Sequence, residues 1–266
     1  MGEIVSISNQ KGGVGKTTSA VNLAASLAAA DRHCLLVDCD PQANATTGVG
    51  LSPQDLEAGV YDLLLGSPIP EPESLVLHTA LPGLSIIGAD PNLIGAEVEI
   101  ASSKNREYLL RNALSPFREL YDYIFLDCPP SLGFLTLNAL ASADSLLVPL
   151  QCEYYALEGL SHLMETLRAV KRGLNPSLRL CGILLTMYDV RNNLSLQVEQ
   201  EVRDHFKDLV FRTTIPRNVR LSESPSHGMP VLLYDIRSKG AQSYLALAHE
   251  FLSHGDISHD QAQGPR

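Results

Sequence analysis

Short, continuous apolar runs alternate along this chain with longer segments in which apolar residues recur at helical spacing. The apolar runs, which predict strands, occupy residues 4–8, 33–38, 84–88, 123–127, 145–150, 180–186 and 211–215. The helical patterns occupy residues 17–30, 60–65, 132–141, 156–174, 194–206 and 238–252, with two more between 93 and 114 that break near 102–103. Runs without polar alternation are typical of strands buried on both faces of a parallel sheet.

The order of these segments predicts the fold. Strands and helices alternate and no linker separates them, which indicates a single α/β domain over residues 1–254 with a doubly wound, mainly parallel sheet and helices on both faces. Residues 255–266 are polar and predict a disordered tail. In such sheets the functional residues lie at the carboxyl ends of the strands.

The segment between the first strand and the first helix carries the clearest chemistry. It reads Lys11-Gly12-Gly13-Val14-Gly15-Lys16-Thr17-Thr18. Glycines let backbone N–H groups turn toward an anion, and the N-terminus of the following helix presents its positive dipole end to the same place. Lys16 would then reach the β- and γ-phosphates of a nucleotide, and the Thr17 hydroxyl would ligate Mg²⁺. The alternative is a tight glycine turn with incidental lysines, but the flanking strand and helix favour the nucleotide site.

Lys11 is not required by a phosphate loop. A second cation beside one triphosphate either adds charge to the same site or serves a different one, and the loop alone does not decide between them.

Three acids follow predicted strands. Asp127 ends an apolar strand and fits the role of holding Mg²⁺, directly or through water; capping of a neighbouring helix is the alternative. Asp38 and Asp40 end the strand that follows the first helix. One of them could support the lysines and Mg²⁺ while the other orients the attacking water, and the residues alone do not assign the two roles.

Composition narrows the class of protein. The first residues of this 266-residue chain lack the pattern expected of a secretory leader, no apolar run reaches membrane-spanning length, and the five cysteines are scattered and odd in number. These features predict a cytoplasmic protein with reduced, buried thiols rather than a disulfide or zinc framework.

Charge is unevenly distributed. The net charge is −10, but residues 168–239 contain twelve Lys or Arg and seven acids, a net charge of +5, so the remainder carries −15. A locally positive face on an acidic body is a weak indication of a polyanionic partner.

Five blocks of sequence together resemble the ParA/Soj chromosome-partitioning ATPases, and they occur in that family's order. They are residues 11–18, 37–42 (Val-Asp-Cys-Asp-Pro-Gln), 127–131 (Asp-Cys-Pro-Pro-Ser), 151–159 (Gln-Cys-Glu-Tyr-Tyr-Ala-Leu-Glu-Gly) and 215–228 (Ile-Pro-Arg-Asn-Val-Arg-Leu-Ser-Glu-Ser-Pro-Ser-His-Gly). The resemblance extends from the first strand to about residue 252.

The resemblance implies a P-loop ATPase with a deviant Walker A motif, which binds ATP and Mg²⁺ and forms an ATP-sandwich homodimer. It implies that Lys11 reaches across the dimer to the partner's phosphates, much as an arginine finger does. It also implies that Asp40 engages the catalytic water while Asp38 supports the site, and that Pro216 and Asn218 hold adenine.

The family's ATP dimer binds double-stranded DNA without sequence preference, and a ParB/Spo0J-type protein stimulates hydrolysis and release, which implies a nucleoid-associated location. Arg191 and Arg220 match positions that the family uses for DNA; a solvated or ion-paired side chain is the alternative for each. Arg237 and Lys239 are further DNA-binding candidates. Met229 stands where the family often has a lysine, which would weaken or redistribute DNA binding if that lysine takes part.

Other classes fit the residues less well. A MinD-like positioning ATPase of a membrane or other cargo would need a basic amphipathic C-terminal helix, whereas residues 255–260 are acidic and polar. An iron–sulfur reductase would need paired cluster cysteines, and Cys128 has no such partner in the sequence. A scaffold that binds nucleotide without hydrolysis leaves the three acids unexplained. The chain starts directly at the first strand, which predicts no helix-turn-helix for operator recognition.

Overall fold

A seven-stranded sheet organises the computed structural model, which describes residues 1–66, 72–101 and 103–261. Its strands are β1 (Glu3–Ile7), β2 (Cys34–Asp38), β3 (Leu77–His78), β4 (Leu84–Ile87), β5 (Tyr123–Asp127), β6 (Ser145–Gln151) and β7 (Arg179–Thr186). Their spatial order is β3-β4-β2-β5-β1-β6-β7, and every pair is parallel except β3 with β4. The predicted doubly wound, mainly parallel α/β fold is therefore confirmed.

Helices cover both faces of the sheet. They are α1 (Lys16–Ala28), α2 (Asn44–Gly48), α3 (Val60–Leu65), α4 (Leu93–Ile100), α5 (Leu109–Leu114), α6 (Phe134–Ser142), α7 (Ala156–Gly173), α8 (Asn193–Phe206), α9 (Val219–Glu223), α10 (Val231–Tyr234) and α11 (Lys239–Gln261). Successive strand residues enter opposite cores, because side chains alternate across a sheet. Ile4 packs with the side that carries α3 to α8, and Val5 packs with the side that carries α1 and α11.

The predicted strand at residues 211–215 is wrong. The segment touches β7 only at its ends, where Phe211 N–H donates to the Ile183 carbonyl and Ile215 N–H donates to the Leu185 carbonyl. Between them, the N–H groups of Arg212 and Thr213 donate to the Glu250 carboxylate of α11, at 2.7 and 2.9 Å. A carboxylate from a distant helix thus replaces the ladder that a strand would need.

The end of the chain also differs from the prediction. The sequence predicts that the last helix ends near residue 252 and that residues 255–266 form a disordered tail, whereas the backbone remains helical to Gln261. Residues 262–266 lie outside the described residues. Within the described chain, none of the helices combines the length and hydrophobicity of a membrane span.

The carboxyl ends of three adjacent strands, β1, β5 and β2, lie side by side where the sequence predicts the nucleotide site. In the parallel register, Asp127 of β5 lies between Ile7 of β1 and Asp38 of β2. The glycine loop leaves the sheet directly after β1, so the loop and the two acids share one edge.

Candidate nucleotide site and basic groove

The glycine loop is built by left-handed backbone and by anchors from neighbouring strands. Gly13 and Gly15 have φ of 74° and 85°, a region that side chains disfavour, and α1 begins immediately after Gly15. The Thr186 hydroxyl at the end of β7 donates to the Val14 carbonyl at 2.8 Å. On the β6 side, the Asn9 amide donates to the Pro149 carbonyl and accepts the Lys11 N–H. The loop is therefore held open in a shape that presents N–H groups to an anion.

The two lysines of the loop have opposite environments. Lys16 is only 7 % exposed, and its Nζ donates to the Lys11 carbonyl at 3.2 Å, inside the loop. Burial lowers the pKa of Lys16, and the nearby charges of Asp127 and Asp40 oppose that shift. The Lys11 side chain instead points out of the loop and is 41 % exposed; its Nζ lies 2.5 Å from Oε2 of Glu153. Lys16 is positioned for a phosphate within the loop, whereas Lys11 is held outside it.

Asp38 is fully buried and fully hydrogen-bonded. One carboxylate oxygen accepts the N–H and the hydroxyl of Thr46 at 2.8 and 2.7 Å, and the other accepts the Asp40 N–H at 3.2 Å. Burial raises the pKa of Asp38 to about 6, although the hydrogen bonds from Thr46 act in the opposite direction. These contacts fix the start of α2, so Asp38 has a clear role in shaping the loop that carries Asp40.

Asp127 is buried without any such support. Within the described chain, neither carboxylate oxygen has a hydrogen-bond partner of ordinary geometry. Burial and the adjacent Asp38 charge raise the pKa of Asp127 well above its usual range, and the Thr17 hydroxyl and Lys16 lie near enough to offset part of that shift. The carboxylate caps no helix, so that alternative is wrong. An unpaired buried carboxylate next to a threonine hydroxyl fits a cation that is bound with the ligand.

The residues present fit Mg²⁺ better than a transition metal. Magnesium usually takes one or two protein oxygens and completes its shell with phosphate oxygens and water. Thr17 and Asp127 would supply those protein oxygens. The described residues contain no group of three or more His, Cys, Asp and Glu that would hold a metal without the nucleotide.

Asp40 lies at the mouth of the site rather than on the strand. β2 ends at Asp38, and the Asp40 carboxylate accepts the Gln42 N–H at 3.0 Å. Asp40 is 7 % exposed, and its charge acts on both Lys16 and Asp127. It is thus close to the phosphate position and has capacity left for a water molecule.

A cavity of about 230 Å³ opens beside the loop and is called the base cavity here. Gly15 and Thr18 form one wall, and Pro216, Asn218 and Tyr244 contribute to the others. The Asn218 side-chain oxygen Oδ1 caps α9 by accepting the Arg220 N–H at 3.0 Å, so its side-chain NH2 group remains available as a donor. Pro216 and Asn218, about two hundred residues downstream, therefore line the same cavity as residues of the glycine loop. Their assignment to adenine stays a prediction.

A wider groove of about 1070 Å³, called the basic groove here, lies on the other side of residues 216–219. Arg191, Arg217 and Lys239 contribute its cations. Arg191 is chelated by Asp189, with Nε–Oδ1 and Nη2–Oδ2 distances of 3.0 and 2.9 Å. Thus two of the four predicted DNA-binding residues, Arg191 and Lys239, share one surface.

The other two predicted DNA-binding residues lie on the neighbouring α9–α10 surface. Arg220 forms ion pairs with Glu223 at 2.8 Å and with Asp235 at 3.4 Å, and its guanidinium lies 5.9 Å from the centre of the Tyr234 ring. Arg237 is exposed, and its N–H donates to Asp235. Both arginines that were matched to DNA positions are thus ion-paired within the free chain.

Met229 does not line the basic groove. It lines a separate cavity of about 290 Å³ with Thr17, Thr18 and residues of α2. The adjoining backbone is tightly packed: a Cβ added to Gly228 would lie 2.6 Å from Cα of Gly50, which follows α2. Both glycines have positive φ, 62° and 93°, and the segment that follows α2 and the segment that follows α9 touch backbone to backbone.

Sequence reasoning missed four residues that the structure brings to these sites. Glu153 pairs with Lys11, Thr46 donates twice to Asp38, Thr186 holds the glycine loop, and Arg217 lines both the base cavity and the basic groove. Glu153 lies in the block at residues 151–159 and Arg217 in the block at residues 215–228, so their positions within these two blocks could have indicated them. Thr46 and Thr186 carry no local signal.

The five cysteines lie mostly in the interior of the protein. All five thiols are free, and four are buried. Cys128 follows Asp127, but its sulfur lies 3.3 Å from the Ser6 hydroxyl, and burial raises the pKa of its thiol to about 12. The geometry favours a structural thiol over a cluster ligand.

Comparison with known proteins identifies close relatives over nearly the whole chain. A family model described as an AAA domain matches residues 2–180. Chromosome partitioning protein ParA of Myxococcus xanthus (strain DK1622) is 59% identical over 254 residues, which cover 95% of this chain and 88% of that protein. Sporulation initiation inhibitor protein Soj of Bacillus subtilis (strain 168) is 52% identical over 255 residues, with 96% and 100% covered.

A solved structure supports the same fold. Cobyrinic acid a,c-diamide synthase from Mycobacterium smegmatis, with bound ADP and magnesium, superposes with a TM-score of 0.84 at 36% identity, covering 96% of both chains.

Proposed function

The chain belongs to the ParA/Soj family of chromosome-partitioning ATPases, and from that premise we propose a full nucleotide cycle for it. It binds ATP with Mg²⁺, forms a homodimer around the nucleotide and, as that dimer, binds double-stranded DNA without sequence preference. A ParB-type protein then stimulates hydrolysis and releases the DNA. Binding of this kind would hold the protein on the nucleoid in the cytoplasm.

The observation that carries the proposal is the contrast between the two lysines of the loop. Lys16 is buried where a phosphate of the same chain's nucleotide would lie, and Lys11 is exposed on the rim. A cation on the rim is available to a nucleotide held by a second protomer. Such a cation supplied in trans stabilises charge on the phosphoryl group in the way that an arginine finger does.

The other residues of the site have complementary roles. Thr17 and Asp127 would hold Mg²⁺, which, when bound, neutralises charge on the β- and γ-phosphates. Lys16 and the loop N–H groups bind the phosphates, and Pro216 and Asn218 orient the base. Asp40 accepts a hydrogen bond from the attacking water and so aligns it; Asp38 keeps the Asp40 loop in place through Thr46.

The net positive charge of residues 168–239 supports the DNA step. Arg191 and Lys239 line the basic groove, with Arg220 and Arg237 on the adjoining surface. Contacts from arginine and lysine to phosphates carry no base specificity and weaken with salt.

The decisive experiment measures phosphate release by the wild-type protein under four conditions. These are ATP and Mg²⁺ alone, with a mixed-sequence DNA duplex, with a basic ParB N-terminal peptide, and with both. We expect slow turnover alone and the fastest turnover with both additions. Equal rates in all four conditions, together with a monomer in the presence of ATP, would contradict the proposal.

Two variants separate the steps. Asp40→Ala is expected to bind ATP and dimerise but to lose turnover, because only the water loses its partner. Lys11→Ala is expected to bind nucleotide but to lose dimerisation or peptide-stimulated turnover. Wild-type behaviour of Lys11→Ala in both assays would rule out the role in trans.

A further inference from the structure

The base cavity and the basic groove are two sides of one short segment. Of all the lining residues within the described chain, only Pro216, Arg217 and Val219 belong to both surfaces. The segment is a thin wall, with the nucleotide side on one face and the cationic side on the other. A ligand that displaces one face of such a wall also changes the other.

Hydrogen bonds tie this wall to the elements on both sides. The Arg217 N–H donates to the Tyr188 carbonyl at 3.2 Å, and the Tyr188 N–H donates to the Ile215 carbonyl at 3.0 Å. Tyr188 directly precedes Asp189, whose carboxylate holds Arg191. The wall is therefore hydrogen-bonded directly to the turn after β7 that carries Arg191.

Arg217 differs from the arginines selected by sequence. Arg191 and Arg220 each donate to acids of their own surface. The Arg217 side chain is exposed, and among the residues that the structure describes it forms no ion pair. An approaching polyanion meets it without first displacing a carboxylate.

The Arg217 charge also acts on Asp189, another residue of the groove. Hydrogen bonds from Arg191 lower the pKa of Asp189 to about 2, and the charge of Arg217 adds a smaller contribution in the same direction. Arg217 thus already acts on the pair that flanks it.

We propose that Arg217 binds a backbone phosphate of DNA in the basic groove and couples that contact to the nucleotide base on the other side of residues 216–219. This inference rests on the proposed function, since it presumes that the ATP-bound protein binds DNA. It assigns the coupling to one wall within each protomer, in addition to whatever dimerisation contributes. Because coupling between two ligands is reciprocal, DNA will tighten ATP binding by the same factor by which ATP tightens DNA binding.

The test compares DNA affinity in two nucleotide states. Binding of a fluorescent, mixed-sequence 24-bp duplex is titrated without nucleotide and with saturating non-hydrolysable ATP analogue plus Mg²⁺, for the wild type, Arg217→Ala, Arg217→Lys and Lys239→Ala. The ratio of the two dissociation constants is the coupling factor. Light scattering on the same samples checks whether each variant forms the same dimer as the wild type.

Both substitutions to alanine should weaken binding in the ATP state by about tenfold and lower the slope of affinity against salt by about one, because each removes a phosphate contact. Only Arg217→Ala should also reduce the coupling factor, by at least about threefold, since Lys239 lines the groove but not the base cavity. Arg217→Lys should restore most of the affinity, which shows that the loss comes from the charge and not from misfolding.

The outcomes separate the two proposals. A wild type that binds no duplex in the ATP state overturns the proposed function. A wild type that binds, with Arg217→Ala equal to it in affinity, overturns the phosphate contact. If Arg217→Ala and Lys239→Ala have the same coupling factor, whether preserved or reduced, then the wall is not the element that couples DNA to the nucleotide. Arg212→Ala, an exposed arginine outside both surfaces, serves as the matched control and should behave as wild type.

Discussion

The nucleotide site and the basic groove both depend on charge, but they differ in how that charge is balanced without a ligand. In the nucleotide site, Asp127 and Lys16 are buried, and both Asp127 oxygens lack a hydrogen-bond partner within the described chain. In the groove and its neighbouring surface, Arg191 and Arg220 are exposed and carry their own carboxylates. One site is incomplete until its ligand arrives, and the other is already partly neutralised.

This difference predicts different energetics. Buried unpaired charge is costly, so a ligand that neutralises it gains a large free energy and the site is intolerant of substitution. Exposed ion pairs contribute only about 0–1 kcal/mol each, so DNA can displace the carboxylates at little cost. Substitutions in the nucleotide site should therefore have large effects, and substitutions in the groove should have graded ones.

The largest effect is expected from Asp127→Asn. Loss of the carboxylate should lower Mg²⁺-dependent turnover by at least about 100-fold, because one protein ligand of the metal is removed. The free protein should be no less stable in urea unfolding, since Asp127 accepts no hydrogen bond of ordinary geometry within the described chain and its burial is costly. Asp208→Asn changes an exposed acid and is the control for charge alone. If the turnover of Asp127→Asn stays within tenfold of wild type, then substitutions in the nucleotide site do not have the large effects expected of it.

Arg220→Glu should have the next largest effect. Reversing this charge beside Glu223 and Asp235 concentrates three acids on the DNA side, and we expect DNA affinity to fall by about 10- to 100-fold while ATP-dependent dimerisation persists. An electrophoretic mobility shift at modest salt and light scattering measure the two properties. An electrophoretic mobility shift identical to that of the wild type would show that the positively charged segment, residues 168–239, does not form the DNA-binding surface.

Glu153→Gln tests whether the exposed ion pair restrains Lys11. The substitution removes the partner of Lys11, and since such pairs are worth about 0–1 kcal/mol, ATP-dependent dimerisation should become up to about fivefold tighter. Sedimentation velocity with an ATP analogue provides the measurement, and Glu165→Gln, an exposed acid on α7, is the matched control. Weaker dimerisation would mean that Glu153 itself contributes to the dimer.

The smallest effect is expected from Asp189→Asn. The asparagine keeps an oxygen for the Arg191 N–H but releases the guanidinium, so DNA affinity should rise by about two- to threefold. Fluorescence anisotropy at fixed salt can resolve this gain. Adding Arg191→Ala to the same chain should abolish it; a gain that survives the double substitution would come from net charge rather than from Arg191.

Local signals predicted most of the fold, and long-range contacts account for what they missed. β2, β5 and α3 lie within a residue of their predicted bounds, because continuous apolar runs and helical spacing are properties of the local sequence. Residues 211–215 are apolar at both ends and look like a strand. They fail to form one because Glu250 of α11 takes the intervening N–H groups. No local pattern contains that partner.

The nucleotide site shows the same division. The motif at 11–18 and the acids at 38, 40 and 127 stand out because phosphate chemistry restricts residue type and spacing. The state of each group depends on contacts between distant segments. Glu153 holds Lys11 outside the loop, Thr46 donates to Asp38, and Asp127 has no hydrogen-bond partner of ordinary geometry in the described chain. These contacts, rather than the motif, distinguish the environment of Lys11 from that of Lys16, and that of the hydrogen-bonded Asp38 from that of Asp127.

The backbone contact between Gly50 and Gly228 has a mechanical consequence. Side chains normally lie between neighbouring loops and absorb relative displacement by changing rotamer. No side chain of the described residues lies between Gly50 and Gly228, and a methyl group added to Gly228 would lie 2.6 Å from Cα of Gly50. We therefore expect a displacement of α2, which begins beside Asp40, to move the segment after α9 as well, because the two backbones are in direct contact.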